Sequence, residues 1–157
     1  MSLAITRYLD AGYPVLYVRT TEHNRALDEI LANLKSAGLL DSLTVMVWKS
    51  TVGLYNVTSA CPKEDVVAED LKSSLEYIAG TRGAPASDRL YIIFNPKEFL
   101  KNPVMLQQLK DTAYAIRSAA SHIIMVGCSI DIPEEIEDVV TTIDMELPDK
   151  ETIKGVS

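Results

Sequence analysis

The chain has 157 residues, of which 47% are hydrophobic, and this composition suits one domain with a packed core and argues against intrinsic disorder. Its net charge of −7 at pH 7 argues against binding to the phosphate backbone of nucleic acid, which requires clustered Lys and Arg. No apolar run approaches the roughly 20 residues that span a bilayer. The two cysteines, Cys61 and Cys128, fit a reducing compartment better than a disulfide scaffold. We therefore expect a cytoplasmic protein that binds neither nucleic acid nor membrane.

Apolar runs alternate with amphipathic helical patterns along the chain. In chain order the predicted elements are a helix over residues 3–11, a strand over 14–18, a helix over 22–38, a strand over 43–48, a helix over 63–80, a strand over 90–94, a helix over 103–120, a strand over 123–126, a brief helix over 133–138 and a strand over 141–147. The first four strands are apolar on both faces, as in a buried parallel sheet, whereas the fifth alternates like an edge strand. A small β excursion is also expected around residues 54–57.

Several helix ends carry recognisable capping residues. Thr20 or Thr21 is expected to cap the start of the second helix, and Gly38 follows its end, where a left-handed residue is favoured. Asn102 precedes a proline at the first helical position of the long helix near residue 110. Strands that alternate with helices indicate right-handed crossovers, so we predict a single three-layer α/β/α domain over residues 1–157, with a five-stranded, mainly parallel sheet.

Ligands of open parallel sheets bind beyond the carboxyl ends of the strands, so the residues that follow each strand are the candidates for a site. These residues are Arg19, Thr20, Thr21, Glu22 and His23 after the first strand, Lys49, Ser50 and Thr51 after the second, Asn95, Lys97 and Glu98 after the third, and Cys128, Ser129 and Asp131 after the fourth. The sequence contains neither a Gly-Lys pair nor a Gly-x-Gly triplet, so it lacks both a phosphate loop and a dinucleotide fingerprint.

Other chemistries find little support among these residues. His23 and His122 are the only histidines, and no Cys or His cluster has the spacing of metal ligands, so we predict no metal site. We interpret Cys128 as a small buried core thiol. At the start of the second helix, Thr20, Thr21 and Glu22 are interpreted as capping residues, although a helix N-terminus attracts anions in general.

Three segments resemble the AAA+ ATPases. "LYIIFNPKEFL" occupies the position of their Walker B strand, and "HIIMVGCSIDIPEEIEDVVTTIDMELPDKE" resembles the segment from their sensor-1 strand to their fifth strand. "AGYPVLYVRTTEHNRALDEI" looks like the opening of a cyanobacterial and chloroplast group of AAA+ proteins. In that group an N-terminal domain resembles a nucleotide-binding fold, lacks its motifs and precedes an intact AAA+ module. The resemblance implies the strand order 5-1-4-3-2, a chain that is a fragment preceding an AAA+ module, and location in the chloroplast stroma if the gene is plastid-encoded.

The departures from the AAA+ pattern bear on function. The Walker A loop is replaced by residues 19–23, the metal-binding aspartate at the end of the third strand by Asn95, and Glu98 does not match the catalytic glutamate. The resemblance therefore implies a non-catalytic domain that acts in assembly, regulation or partner recruitment, with its own AAA+ module or other proteins as partners. It implies no cofactor for this chain, and ATP with Mg²⁺ for the parent protein. The residues that would contact a nucleotide, if any does, are Arg19, Thr20, Thr21, Glu22, Asn95, Glu98 and Ser129.

Two alternatives remain. An enzyme of another α/β class would have its site at the same strand ends, with Arg19, Glu22, His23, Asn95, Glu98 and Ser129 as its candidate residues. A regulatory module resembling a receiver domain would need an aspartate at a strand end. Neither the first nor the third strand ends in one, so this alternative ranks last.

Overall fold

The computed structural model describes residues 5–80, 85, 87–96, 99–128 and 133–144. The helices are α1 (Ile5–Asp10), α2 (His23–Ser36), α3 (Leu71–Ala79) and α4 (Pro103–Arg117), and two 3₁₀ turns cover Phe99–Lys101 and Glu134–Ile136. The strands are β1 (Val15–Arg19), β2 (Thr44–Lys49), β3 (Gly53–Asn56), β4 (Arg89–Phe94), β5 (His122–Gly127) and β6 (Val140–Asp144). Among the described residues, no helix is long and apolar enough to cross a bilayer. Most of the loop predicted before β4, and the end of the predicted last strand, lie outside the described residues.

The six strands form one sheet in the order β3-β2-β4-β5-β1-β6. All neighbouring pairs are parallel except β2 and β3, which are antiparallel. When β3 is set aside, the order is the predicted 5-1-4-3-2, so the predicted fold class is confirmed. The predicted strand count of five is too low by one, because the expected excursion pairs with β2 as a full sixth strand. β6 pairs on one side with β1, as predicted for the strand at that edge.

Each sheet face is covered by its own hydrophobic cluster, which makes the domain three-layered. Neighbouring residues of β1 point to opposite faces: Val15 and Tyr17 pack with the α3 and α4 side chains, and Leu16 and Val18 pack with α1 and α2. Because both faces are covered, these β1 residues are fully buried. The apolar run in the sequence is therefore a consequence of the sheet's central position.

The helix ends follow the sequence in part. Gly38 has φ of 73° and completes a Schellman motif, in which its N–H donates to the Lys35 carbonyl and the Leu39 N–H donates to the Leu34 carbonyl. The Asn102 side chain accepts from the Val104 N–H at 2.8 Å, which confirms the predicted cap of α4.

The predicted start of the third helix is wrong by eight residues. α3 begins at Leu71 instead of Lys63, and Asp70 caps it through the Ser73 N–H. The preceding segment contains a turn over residues 62–64, and further along it Ala68 forms an antiparallel bridge with Leu54 of β3. Val67, which the helical pattern had assigned to the buried stripe, is 47% exposed.

The segment before α3 covers the outer edge of β3. The Leu54 N–H donates to the Ala68 carbonyl at 2.7 Å, and the buried indole of Trp48 donates to the Glu69 carbonyl at 2.9 Å. Gly53 has φ of 114°, and a Cβ there would lie 2.7 Å from the Ala68 oxygen. Glycine at this position is therefore required both by the backbone conformation and by the close approach of the covering segment.

Candidate functional site

A cleft of about 780 Å³ opens at the carboxyl ends of β1, β2 and β4. It is lined by Thr21, Glu22, His23, Asn24, Arg25, Asp28, Lys49, Ser50, Thr51, Phe94 and Asn95. Ten of these eleven side chains are polar, and Phe94 is the apolar exception. The cleft therefore lies where a parallel α/β sheet binds its ligands, but its lining is more polar than that of most small-molecule sites.

The turn from β1 into α2 forms the first wall of the cleft. The Thr20 N–H donates to the Gly127 carbonyl at 2.7 Å, and the Thr20 hydroxyl accepts from the Glu22 N–H at 3.1 Å. Glu22 is the N-cap residue of α2, and its side chain makes no capping hydrogen bond. The prediction that Thr20 or Thr21 caps α2 is therefore wrong. The Thr20 hydroxyl closes a local turn, and the Glu22 carboxylate is left exposed at the edge of the cleft.

Asn95 follows β4 and joins this strand to the first wall. Its φ of 52° is left-handed, a conformation that asparagine tolerates better than most residues, and its N–H donates to the Val126 carbonyl at 2.8 Å. Its side-chain nitrogen lies 3.4 Å from Nδ1 of His23. With the amide as donor, the imidazole proton is on Nε2, which is buried and has no hydrogen-bond partner among the described residues.

Lys49, at the end of β2, and His23 both contact the Phe94 ring. Its Nζ lies 5.5 Å from the centroid of that ring, and the imidazole of His23 packs on the same ring with a centroid separation of 6.0 Å. The charged side chains of the lining are Glu22 and Asp28 on one hand, and Arg25 and Lys49 on the other. The formal charges of the described lining residues therefore cancel.

The structure brings together part of the candidate set. Thr21, Glu22 and Asn95 line the cleft, as does His23 of the enzyme alternative. Lys49, which ends β2, and the two residues after it also line the cleft. Arg19 and Thr20 do not line the cleft, and Glu98 and Ser129 lie outside the described residues.

Four lining residues are not among the candidates predicted from the sequence: Asn24, Arg25, Asp28 and Phe94. The helical positions could have been found, because residues in the first two turns after Glu22 are close to the same helix end. Phe94 was assigned to the core alone. It is 5% exposed and belongs to the core on the α2 side of the sheet while also forming the floor of the cleft.

Cys128 and the Tyr17 hydroxyl both lie close to the end of β5. Cys61 and Cys128 are both free and exposed, so the interpretation of Cys128 as a buried thiol is wrong: β5 ends at Gly127, and Cys128 lies beyond it. Tyr17 is fully buried, and its hydroxyl, which contacts Gly127, has no hydrogen-bond partner among the described residues. Burial, and to a lesser extent the Cys128 thiolate, raises the pKa of Tyr17 to about 12.

Residues 1–145 match the family described as SpoVK-like AAA ATPase, N-terminal domain. The chain belongs to this family. The resemblance to AAA+ proteins that the sequence indicated is thereby confirmed at the level of the family.

The family's curated relatives are longer proteins. The AAA domain-containing protein ycf46 of Pyropia yezoensis is 28% identical over 146 residues, which are 93% of this chain and 28% of that protein. The ycf46 protein of Trieres chinensis is 26% identical over 141 residues, 89% of this chain and 27% of that protein. The chain therefore spans just over a quarter of the length of these relatives.

Solved structures with a similar fold include Drosophila ORC bound to DNA. One of its chains has a TM-score of 0.51 and 13% identity, and the match covers 92% of this chain and 87% of that one. A second structure, of Drosophila ORC with AT-rich DNA and Cdc6, matches at a TM-score of 0.51 and 12% identity, over 89% of this chain and 51% of that one. At such low identity the likeness extends to the fold alone.

Proposed function

We propose that this N-terminal domain of the SpoVK-like AAA ATPase family is a non-catalytic, nucleotide-binding-like domain that acts in assembly, regulation or partner recruitment. The observation that carries the proposal is the lining of the cleft at the carboxyl ends of the strands. In the position of a phosphate loop, a glutamate occupies the N-cap of α2, and in the position of a metal-binding acid stands the neutral Asn95.

The chemistry of phosphate binding explains why these residues argue against nucleotide hydrolysis. A triphosphate with Mg²⁺ needs backbone N–H groups that wrap the phosphates, a lysine for their charge and an acid for the metal. The Glu22 carboxylate instead adds negative charge at the helix end that would receive the phosphates. The neutral amide of Asn95 offers the metal no charge, so Mg²⁺ loses its main source of affinity.

A role in docking or assembly is supported by the relation of this chain to its relatives. The ycf46 relatives carry an AAA domain, and the chain matches about a quarter of their length. We therefore infer that ATP and Mg²⁺ act in the AAA+ module of the parent protein, and that the present domain contributes a folded surface to it. DNA, which is bound in the matched ORC structures, is a poor partner for a chain with a net charge of −7.

Calorimetric titration of the purified chain with Mg-ATP tests the proposal. We expect no binding heat and no rise in the melting temperature, because the described cleft offers no phosphate-binding loop. The full-length protein, titrated under the same conditions, is the positive control and should bind Mg-ATP through its AAA+ module. A micromolar Kd for the isolated chain, or ATP hydrolysis by it, would overturn the proposal.

An enzyme of another α/β class is the second candidate, because Glu22, His23 and Asn95 do converge on one cleft. A proton relay would require that the imidazole contact an acid or a nucleophile. The contact that His23 makes through Nδ1 is with an amide, which does not exchange a proton in that role. The convergence keeps this candidate open to test: replacing His23 with Ala should abolish any activity found for the purified chain.

A further inference from the structure

We propose that the outer edge of β6 binds an extended, basic polypeptide segment of a partner protein, which adds to the sheet as a further strand. The inference rests on the proposed function and specifies it, since it names the surface and the chemistry through which this domain recruits a partner. Its physical basis is a sheet edge that the described part of the chain leaves uncovered, next to a group of exposed acidic side chains.

β6 is an edge strand with one neighbour. It pairs with β1 along its whole length, Val140–Asp144, without a break in register. In a parallel pair, alternate residues turn their N–H and C=O groups towards the neighbouring strand, and the residues between them turn theirs away. Among the described residues, no strand or loop pairs with the outer side of β6. Its outward backbone groups are therefore available to another strand.

The opposite edge of the sheet is covered by the chain itself. At β3 the Leu54 N–H donates to the Ala68 carbonyl at 2.7 Å, and the Val67 N–H donates to the Leu54 carbonyl at 2.9 Å. Proteins also protect exposed edges with proline, lysine or a bulge, but β6 contains neither residue type, and its register against β1 has no bulge. Of the two edges, β6 is therefore the one that suits strand addition.

The side chains of β6 favour pairing with a further strand. Residues 139–143 are all β-branched, a class of residue that packs well in a pleated sheet. Val140 is buried with the α3 and α4 side chains on one face, whereas Ile143 packs on the other face and is only half-buried. An apolar side chain of an added strand beside Ile143 would remove more of it from water. The partner segment should therefore contain β-branched or apolar residues in an extended run.

The charge near β6 favours a basic segment. Glu134, Glu137 and Asp138 precede the strand and are exposed, and no ion pair is found for them within the described part of the chain. Between Arg117 and Lys150 the sequence contains eight acidic residues and neither lysine nor arginine. Basic side chains at the end of an added strand would meet these acids near the start of β6. The backbone of the edge thus provides the binding, and the acids provide the selection for charge.

The same acids make a second copy of the chain a poor occupant of this edge. In an antiparallel pair of two β6 strands, the acids that precede one strand would come beside the end of the other, where the sequence has Asp144. In a parallel pair, each acid would lie beside its own counterpart. Like charges opposite each other destabilise strand pairing, and the segment contains no base that would compensate.

Nuclear magnetic resonance titration of the ¹⁵N-labelled chain tests the inference, with the peptide acetyl-Lys-Val-Thr-Val-Thr-Lys-amide as the probe. A lysine at each end allows either strand direction. We expect saturable shifts of the β6 amides, with a Kd on the order of a millimolar. Glu137→Lys should weaken binding by about fivefold, because it reverses one of the charges that attract the probe. Glu64→Lys makes the same change at an exposed position that follows β3, at the other edge of the sheet, and should leave binding unchanged.

Two control peptides test the charge and the strand pairing separately. Acetyl-Glu-Val-Thr-Val-Thr-Glu-amide should bind at least about fivefold more weakly, because its end charges are repelled. Acetyl-Lys-Val-Thr-Pro-Thr-Lys-amide should also bind more weakly, because proline removes a backbone donor from the added strand. Binding of either peptide as tight as that of the probe would overturn the inference.

Hydrogen exchange of the free chain tests whether another occupant already covers the edge. We expect alternate amides of β6 to exchange quickly and the amides between them, which bond to β1, to exchange slowly. Slow exchange of every β6 amide would overturn the inference: loss of this protection on dilution would identify a second copy as the occupant, and protection at all concentrations another segment of the same chain. If the edge is free and no peptide binds, the inference alone is overturned, since the Mg-ATP titration decides the proposed function independently.

Discussion

Replacement of Tyr17 by Phe should stabilise the domain, although it removes a polar group from β1, an interior strand of the sheet. The hydroxyl is fully buried and has no hydrogen-bond partner among the described residues. A buried hydroxyl without a partner costs about 1–3 kcal/mol of desolvation that a phenylalanine would not incur. The ring stays in place, so the change creates almost no cavity.

The expected gain in the free energy of unfolding is therefore about 1–2 kcal/mol, which for a domain of this size corresponds to a rise in Tm of about 2–6 °C. Urea denaturation followed by the fluorescence of Trp48 measures it, since this buried indole is the chain's only tryptophan. The m-value should not change, because both proteins expose the same surface on unfolding.

Tyr91→Phe is the matched control. Tyr91 is 1% exposed and packs in the same cluster, but its hydroxyl bonds to Arg89. Its loss should destabilise the domain by about 1–2 kcal/mol, because it removes a hydrogen bond to a charged group. A loss of stability in Tyr17→Phe that matches the loss in Tyr91→Phe would refute the reasoning, since it would mean that the Tyr17 hydroxyl also makes a bond in solution.

Three more predictions follow from the same structure. Folding raises the pKa of Tyr17 from 10.0 to about 12, so this tyrosine ionises at lower pH in the unfolded chain than in the folded one. Urea denaturation at a series of pH values should therefore show that the wild type loses up to about 2–3 kcal/mol of stability between pH 10 and 12. Tyr17→Phe should not show this loss. Gly53→Ala should lower the free energy of unfolding by about 2–4 kcal/mol in urea denaturation, because the new Cβ would meet the Ala68 oxygen and the φ is left-handed. Gly12→Ala, which has a left-handed φ but open space around it, should lower it by about 1 kcal/mol. Equal losses in the two variants would exclude the steric contribution at Gly53. Asn102→Ala should lower the free energy of unfolding by about 1 kcal/mol, seen as a lower Tm, because it removes the cap of α4. Glu22→Ala should lower it by a few tenths of a kcal/mol at most, since the Glu22 side chain makes no capping hydrogen bond. A larger loss at Glu22 would show that its carboxylate caps α2 in solution.

The sequence predicts the sheet well because the strand signal is strong and redundant. Four of the apolar runs become β1, β2, β4 and β5, since strands covered on both faces need apolar residues at every position. The third helix was placed too early for an equally physical reason. Val67 has helical spacing to the stripe that follows it, but its neighbour Ala68 pairs with Leu54 in the structure. A long-range bridge of this kind leaves no mark in the local pattern.

The cleft was predictable in position but not in content. The carboxyl ends of the strands give the location, and the predicted Glu22 and Asn95 both line it. The contact between Lys49 and Phe94 depends on the register of β2 against β4. In this register Trp48 pairs with Ile93, so the residues that follow them, Lys49 and Phe94, are neighbours across the two strands. Register is fixed by packing over the whole sheet, so this contact required the structure.

The fold depends little on the residue types that line the cleft, because few of them contribute to the core. Thr21, Glu22 and Asn24 are exposed, so a change of residue type there costs little stability. Asn95 is held to a narrower choice by its φ of 52°, since a β-branched residue would be strained in that conformation. Asparagine and aspartate both tolerate it. The neutral Asn95 therefore keeps the turn after β4, in which its backbone N–H donates to the Val126 carbonyl, without providing a charge for a metal. At this position the geometry of the backbone and the chemistry of the side chain are separable. The fold can therefore tolerate a change of residue type in the cleft without a change in the backbone.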